Sequence, residues 1–417
     1  MRYFIVTFGC QMNISDSERI AAILEKIGYK PASKINEADL VVTNMCSVRQ
    51  SAVNRVYGLA QKLEELKAKN PKLKTILTGC VLNKNKIKLK SHFDFVFGIK
   101  DIVNLPRILN KKLKLKNTDY LSIKPVCSNK FIASIPIMTG CNNFCTYCVV
   151  PYIRGKEISR PAEEIIQEIK DLAKDGYKEI WLLGQNVNSY KNNKINFPKL
   201  LEMADKIPAD FWIRFTSSHP KDFSEELIQV MAKGKKITPY LNLPVQAGDN
   251  EILKKMNRSY TALQYKSLVK KIRKKIPGIS LSTDIIVGFP GETKKQFENS
   301  IKLFKEVKYD MAYISEYSPR PNTAALKMKD DVHIKEKIER KRILNEVLKE
   351  TALEHNKKYI GKTVEALIDS KKENNIFIGK TREYKTIRID SDKNLLGRFV
   401  KAEVTDASSW GLKGKLI

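Results

Sequence analysis

The chain has 417 residues, of which 76 are Lys or Arg and 46 are Asp or Glu, giving a formal net charge of +30. An apolar fraction of 42% is that of a globular protein and excludes wholesale disorder. No apolar run approaches the roughly 18–20 residues of a membrane span, and the length favours about two to four domains. The cationic excess favours a polyanionic partner, because Lys and Arg that meet phosphates release condensed counterions. A lysine-rich composition spread over helical faces, as at Lys270, Lys271, Arg273, Lys274 and Lys275, is the alternative source of that charge.

The amino terminus, Arg2 to Thr7, reads as a buried strand rather than a signal peptide, which places the protein in the cytoplasm. One pattern then recurs: a short apolar strand, a turn carrying a cysteine, and a helix. Arg2 to Thr7 precedes Cys10, Asp39 to Thr43 precedes Cys46, and Lys74 to Thr78 precedes Cys80. Ser15 or Asp16 can cap the first helix, which Gly28 stops after Ile27, and a second helix is predicted over Ser51 to Lys69. A fourth strand, Phe93 to Phe97, carries no cysteine. Strands alternating with helices predict a parallel, doubly wound α/β sheet, whose ligand-binding edge collects all the carboxyl ends. Cys10, Cys46 and Cys80 would converge there.

Lys111 to Lys130 reads as a polar linker. From Phe131 the alternation restarts, with strands near 131–138, 178–184, 211–217, 239–245, 279–287 and 311–317. Helices fall near 162–175, 197–206, 223–233, 261–275 and 293–307. Six such units predict a partial (β/α)6 barrel with its reactive groups at the carboxyl ends of the strands. Residues 332–358 form a charged connector helix. From Tyr359, segments such as Val364–Ile368, Asn375–Ile378 and Phe399–Val404 predict a small OB-like β-barrel, either a nucleic-acid platform or a plain cap.

Cysteine usage carries the chemistry. Seven cysteines, an odd number in a long chain, argue against a disulfide framework. Cys141, Cys145 and Cys148 form a C-x₃-C-x₂-C run directly after the first barrel strand. Three close thiolates can hold three irons of a four-iron cluster and leave the fourth open to a small molecule. Zinc competes, but three thiolates without a nearby fourth ligand make a poor structural zinc site.

This run, set in six βα units, resembles the radical S-adenosylmethionine superfamily. Thr7–Asn13 with Cys10, Asn44–Arg49 with Cys46, and Thr78-Gly79-Cys80 resemble the amino-terminal domain of its methylthiotransferases. So do Cys148–Gly155, Gly184–Asn188, Arg214–Pro220, Leu243–Gly248 and Asp284–Thr293 in the radical domain, and the tail resembles the RNA-binding TRAM domain. The Gln11-Met12-Asn13 and Cys46-Ser47-Val48-Arg49 stretches are most similar to the branch that acts on N6-isopentenyladenosine in tRNA. Met45 stands where that family usually has Thr, and Asn322 where it usually has Gly.

The resemblance implies three domains, residues 1–115, 127–357 and 358–417. It implies two 4Fe-4S clusters, one on Cys141, Cys145 and Cys148 and an auxiliary one on Cys10, Cys46 and Cys80. By the same resemblance, one S-adenosylmethionine would methylate a sulfur held at the auxiliary cluster. The other, chelated by the open iron, would yield a 5′-deoxyadenosyl radical that takes hydrogen from carbon 2 of the adenine beside the anticodon. Tyr147 would flank the cofactor adenine, with simple packing as its alternative. Gly288, Gly291 and Glu292 can approach the cofactor or merely form a tight turn, and Gln185, Asn186 and Gln246 are candidates to line the cavity. His219 reads as a turn residue and Cys127 as an incidental thiol. The expected partners are the tRNA anticodon loop and an electron donor such as flavodoxin or ferredoxin, with the chain acting as a monomer and without a membrane. A methylthiotransferase for threonylcarbamoyladenosine or for a ribosomal protein, and a metal-stabilised RNA-binding protein, are the competing readings.

Overall fold

The computed structural model describes residues 1–112, 119–373 and 375–417. The expected first boundary near 115 and the middle of the predicted linker lie outside the described residues. Strands Arg2–Phe8, Leu40–Cys46 and Lys74–Cys80 form the centre of a five-stranded parallel sheet, edged by the two-residue strands Lys30–Pro31 and Phe95–Val96. Side-chain alternation divides the core. Leu40 and Val42 pack with Ile20, Ile23 and Leu24 of helix Gln11–Lys26, whereas Val41 and Met45 pack with Val53, Val56 and Leu63 of helix Gln50–Lys69. Helices thus cover both faces, and Met45 is a core residue. Strand order reverses between Arg2–Phe8 and Leu40–Cys46, and such a reversal opens a crevice at the carboxyl ends.

Two local differences from the sequence reading have physical causes. Helix Gln11–Lys26 begins earlier than the predicted Ser15 or Asp16 cap, with Cys10 at the N-cap, and Asp16 lies buried inside the helix. The predicted strand Phe93–Phe97 shrinks to Phe95–Val96 because the Asp94 carboxylate accepts the Thr75 N–H at 2.7 Å, replacing backbone pairing.

In the second unit, strands Ile132–Pro136, Glu179–Leu183 and Trp212–Phe215 form one parallel sheet, and Tyr240–Asn242, Ser280–Val287 and Met311–Glu316 form another. The bridge Ile213–Ile237 joins them into a partial barrel. Helices Ala162–Lys174, Phe197–Asp205, Glu225–Lys233, Ala262–Lys275 and Lys294–Val307 cover the outside. Ile180 and Leu182 point outward into the helix-packed core, which sends Glu179, Trp181 and Leu183 inward.

Helix Ile334–Lys357 leads to a closed five-stranded barrel. Its strands are Thr363–Lys371, Ile376–Thr381, Thr386–Asp390, Phe399–Ser408 and Gly411–Leu416, two more than the sequence suggested. Among the described residues, no helix is long and apolar enough to cross a membrane.

Both end units reach the inner face of the central barrel. Met12, from the first helix, is buried with Trp181, Leu183 and Tyr240. Tyr384, from the tail, stacks at centroid distances of 5.1 Å from Trp181 and 4.6 Å from Tyr240. Arg214, wholly buried, pairs with Glu179 at 2.6 Å and donates to the carbonyls of Thr381 and Arg382, each at 2.8 Å. Lys385 pairs with Asp310 at 2.5 Å. Removing one partner of a buried ion pair leaves the other charge uncompensated, so Arg214→Met should cost about 3–5 kcal/mol. The check is chemical denaturation, in which the variant's unfolding midpoint should fall clearly below that of the parent.

Candidate active site

Cys46 and Cys80 are register partners on adjacent strands, and Cys10 caps the neighbouring helix. An asparagine pair braces the three. Asn13 Oδ1 accepts the Cys10 N–H at 3.2 Å, Asn13 Nδ2 donates to Asn44 Oδ1 at 3.1 Å and lies 4.0 Å from Cys80 Sγ, and Asn44 Nδ2 returns a bond to the Asn13 carbonyl at 2.8 Å. Gly79 is required beside them: its φ is +104°, and a Cβ would fall 2.3 Å from Asn44 Oδ1. Burial raises the Cys46 thiol, and it pushes Cys80 up to about 12 against the opposing pull of Arg154.

The second set sits in the loop after strand Met138–Thr139, near the carboxyl ends of the barrel strands. Gln185 Oε1 accepts the Gly140 N–H at 2.7 Å, the Cys141 N–H reaches the Gly155 carbonyl at 3.2 Å, and the Cys148 N–H reaches the Cys145 carbonyl at 2.9 Å. Thr146 anchors the loop to the Lys255 carbonyl at 2.8 Å. Arg258 is buried, with Nη1 lying 3.4 Å from Cys145 Sγ and Nη2 donating to the Pro244 carbonyl at 3.1 Å. Burial raises Cys141 and pushes Cys148 up to about 12. Thiols so placed ionise when a cation joins them, which suits iron as the partner. Among the described residues no group of three or more His, Cys, Asp or Glu side chains closes around a single ion, and ligands of a four-iron cluster, each on its own iron, need not do so.

One segment links the two sets across the unit boundary, with Arg154 at Cys80 and Gly155 at Cys141. Arg154 of helix Val150–Arg154 lies with Nε 3.1 Å from Cys80 Sγ. Arg320 of the barrel unit lies within electrostatic reach of Cys46. Asp284, raised by burial, is held by Asn242 at 3.1 Å and also feels Arg49, three residues after Cys46.

The other predicted residues divide. Asn186 Oδ1, both amide atoms of Asn188 and Ser218 Oγ are buried without hydrogen-bond partners, just beyond strands Glu179–Leu183 and Trp212–Phe215. These orphaned atoms fit a polar ligand such as S-adenosylmethionine. Tyr147 is half-buried against the barrel core. Gln246 holds a left-handed backbone (φ +71°), its N–H on the Asp284 carbonyl and its own carbonyl accepting the Ile286 N–H. Glu292 is buried in a clasp, accepting the Gly288 N–H at 2.6 Å and pairing with Arg340 at 2.7 Å, while the Gly291 N–H goes to Asp331 at 2.7 Å. His219 Nδ1 caps the Lys221 N–H, and burial pushes the imidazole down to about 2, so it stays neutral. Cys127 is half-buried beside Tyr177. Arg154, Arg258, Asn13 and Asn44 carried no role in the sequence reading. The available signals were the motif positions of Asn13 and Asn44 and a lone arginine closing the apolar turn after Cys148.

A partial barrel with three cysteines and unsatisfied polar groups at its mouth is the machinery of a radical S-adenosylmethionine enzyme. Comparison with known proteins agrees. The Radical SAM superfamily profile matches residues 135–304, Uncharacterized protein family UPF0004 matches 2–98, and the TRAM domain matches 357–417. The chain is 43% identical to the tRNA-2-methylthio-N(6)-dimethylallyladenosine synthase of Bacillus cytotoxicus, over 100% of this chain and 86% of that protein. It is 42% identical to the like-named protein of Carboxydothermus hydrogenoformans, over 100% and 99%. A radical S-adenosylmethionine methyltransferase from Kitasatospora setae shares the fold, with a TM-score of 0.54 at 15% identity over 78% of this chain and 76% of that one. The chain belongs to the family of tRNA-2-methylthio-N(6)-dimethylallyladenosine synthases.

Anaerobically reconstituted protein should carry about eight irons, and Cys141, Cys145 and Cys148 together replaced by Ala should leave about half. Iron analysis decides this, and a triple variant that keeps the full content would refute the ligand assignment.

Proposed function

We infer that the chain attaches a methylthio group to carbon 2 of N6-isopentenyladenosine, next to the anticodon at position 37 of tRNA, using two molecules of S-adenosylmethionine. The observation that carries this reading is a pair of three-cysteine sets from separate units, linked by one segment that puts Arg154 at Cys80 and Gly155 at Cys141. Cys141, Cys145 and Cys148 would hold one 4Fe-4S cluster, and Cys10, Cys46 and Cys80 the other. When bound, the clusters and S-adenosylmethionine supply the radical and the sulfur chemistry that an unactivated carbon–hydrogen bond demands.

The chain's own residues bind, orient and exclude water. Asn186, Asn188 and Ser218 offer unpaired polar atoms to S-adenosylmethionine, and Tyr147 and Gln246 stay candidates to line its site. Arg258 and Gln185 fix the cysteine loop. Met12, Trp181, Tyr240 and Tyr384 fill the barrel interior and keep it dry. The clasp at Glu292 shapes the turn through Gly288 and Gly291 rather than offering a free carboxylate.

The substrate base lies in a loop, where unstacking is far cheaper than in a duplex. On the tail, Trp410 is 53% exposed and borders a recess of about 280 Å³ with Arg388 and Lys413, a pairing of aromatic and cationic groups that suits single-stranded RNA. A flavodoxin or ferredoxin would deliver the electron. The division into residues 1–115, 127–357 and 358–417, a monomeric state and a cytoplasmic location complete the proposal.

Purified enzyme with reductant and S-adenosylmethionine should modify tRNA bearing the isopentenyl group, and give little or no product from unmodified or threonylcarbamoylated tRNA. A pocket built for an apolar chain would bury the threonylcarbamoyl carboxylate without a partner. Nucleoside mass spectrometry reads the result, and product from the threonylcarbamoylated tRNA alone would reverse the substrate assignment. Trp410→Ala should weaken tRNA binding by about 1–3 kcal/mol if a base stacks there. Equilibrium binding at fixed salt measures it, and unchanged affinity would remove Trp410 from the RNA-binding face.

A further inference from the structure

Arg154 belongs to the barrel unit, yet its side chain serves the other cysteine set. It is 2% exposed, with Nε 3.1 Å from Cys80 Sγ, Nη2 donating to Asp16 Oδ2 at 2.6 Å and Nη1 donating to the Tyr120 hydroxyl at 3.1 Å. The next residue, Gly155, gives its carbonyl to the Cys141 N–H. One turn of chain therefore touches both cysteine sets. An arginine keeps its proton in proteins, so a full positive charge and an N–H donor sit against a ligand sulfur. Asp16 answers that charge with one oxygen, while its Oδ1 has no partner. Arg258, the arginine beside Cys145, is arranged differently: its other partners are the Tyr260 hydroxyl and the Pro244 carbonyl, both neutral.

Reduction potentials of iron–sulfur clusters follow net charge and hydrogen bonds to sulfur. A nearby cation and a donor N–H stabilise the added electron, and a nearby carboxylate opposes it. We propose that Arg154 is a positioning residue for the auxiliary cluster: it orients the Cys80 sulfur and raises that cluster's reduction potential, and Asp16 limits the rise. This rests on Cys10, Cys46 and Cys80 being the auxiliary ligands.

The test uses the full-length chain with Cys141, Cys145 and Cys148 replaced by Ala, reconstituted anaerobically so that a single cluster gives the signal. Iron is counted, and the midpoint potential is read by paramagnetic resonance during a redox titration. Arg154→Gln should shift the midpoint to a more negative value, Asp16→Asn to a more positive one, and Arg154→Lys should lie closer to the parent than Arg154→Gln. A residue that only held the fold would not yield shifts of opposite sign. If Arg154→Gln loses its iron, Asp16→Asn decides alone: a positive shift supports the proposal and an unchanged midpoint overturns it. A parent chain without iron would sink the ligand assignment and the tuning with it. A parent with about four irons, whose midpoint ignores both substitutions or moves the same way in both, would sink the tuning alone.

Discussion

The six strands of the central barrel lie in two three-stranded sheets whose outer edges, Ile132–Pro136 and Met311–Glu316, do not pair among the described residues, so the inner wall must be covered by something else. Here the cover comes from both ends of the chain, with Met12 from one and Tyr384 from the other meeting on Trp181 and Tyr240. The buried Arg214–Glu179 pair adds the polar half of the arrangement, because two of the guanidinium's acceptors are tail carbonyls. A buried cation is tolerated only where its donors are satisfied, so Arg214 and the Thr381–Tyr384 loop depend on one another. The end units are therefore parts of the barrel's wall as well as carriers of their own sites.

The same interlocking sets the chemistry. The auxiliary cysteines gather at the crevice of the sheet, and the barrel cysteines gather at the barrel's mouth. Arg154, Arg320 and Arg49 act across the boundary between them. Buried thiols at both sets are hard to ionise on their own.

Much of this could be read from residues alone. Local periodicity gave the six barrel strands to within a few residues, and the cysteine triplet identified itself by spacing. The convergence of the dispersed Cys10, Cys46 and Cys80 was legible only through topology, since parallel strands bring their carboxyl ends to one edge, and their role as ligands only through the resemblance. What stayed hidden depends on contacts between distant residues. Asp16 has the composition of a helix cap, and only its Arg154 partner, 138 residues away, makes it a buried counter-ion. Glu292 follows a strand like a ligand-binding residue, but Arg340, 48 residues on, engages it. Asn322, unusual where the family has Gly, holds φ +67°, a conformation that Asn tolerates better than most residues.

The position of Tyr384 also orders events during synthesis. The last barrel strand ends at Glu316, yet the inner wall lacks the Tyr384 side chain, which the ribosome adds 68 residues later. Chains fold from the amino terminus as they emerge. The nascent barrel must therefore wait, with Trp181 and Tyr240 incompletely covered, until nearly the whole protein has left the exit tunnel. The amino-terminal sheet, whose last strand is Phe95–Val96, is made long before the barrel's wall is complete.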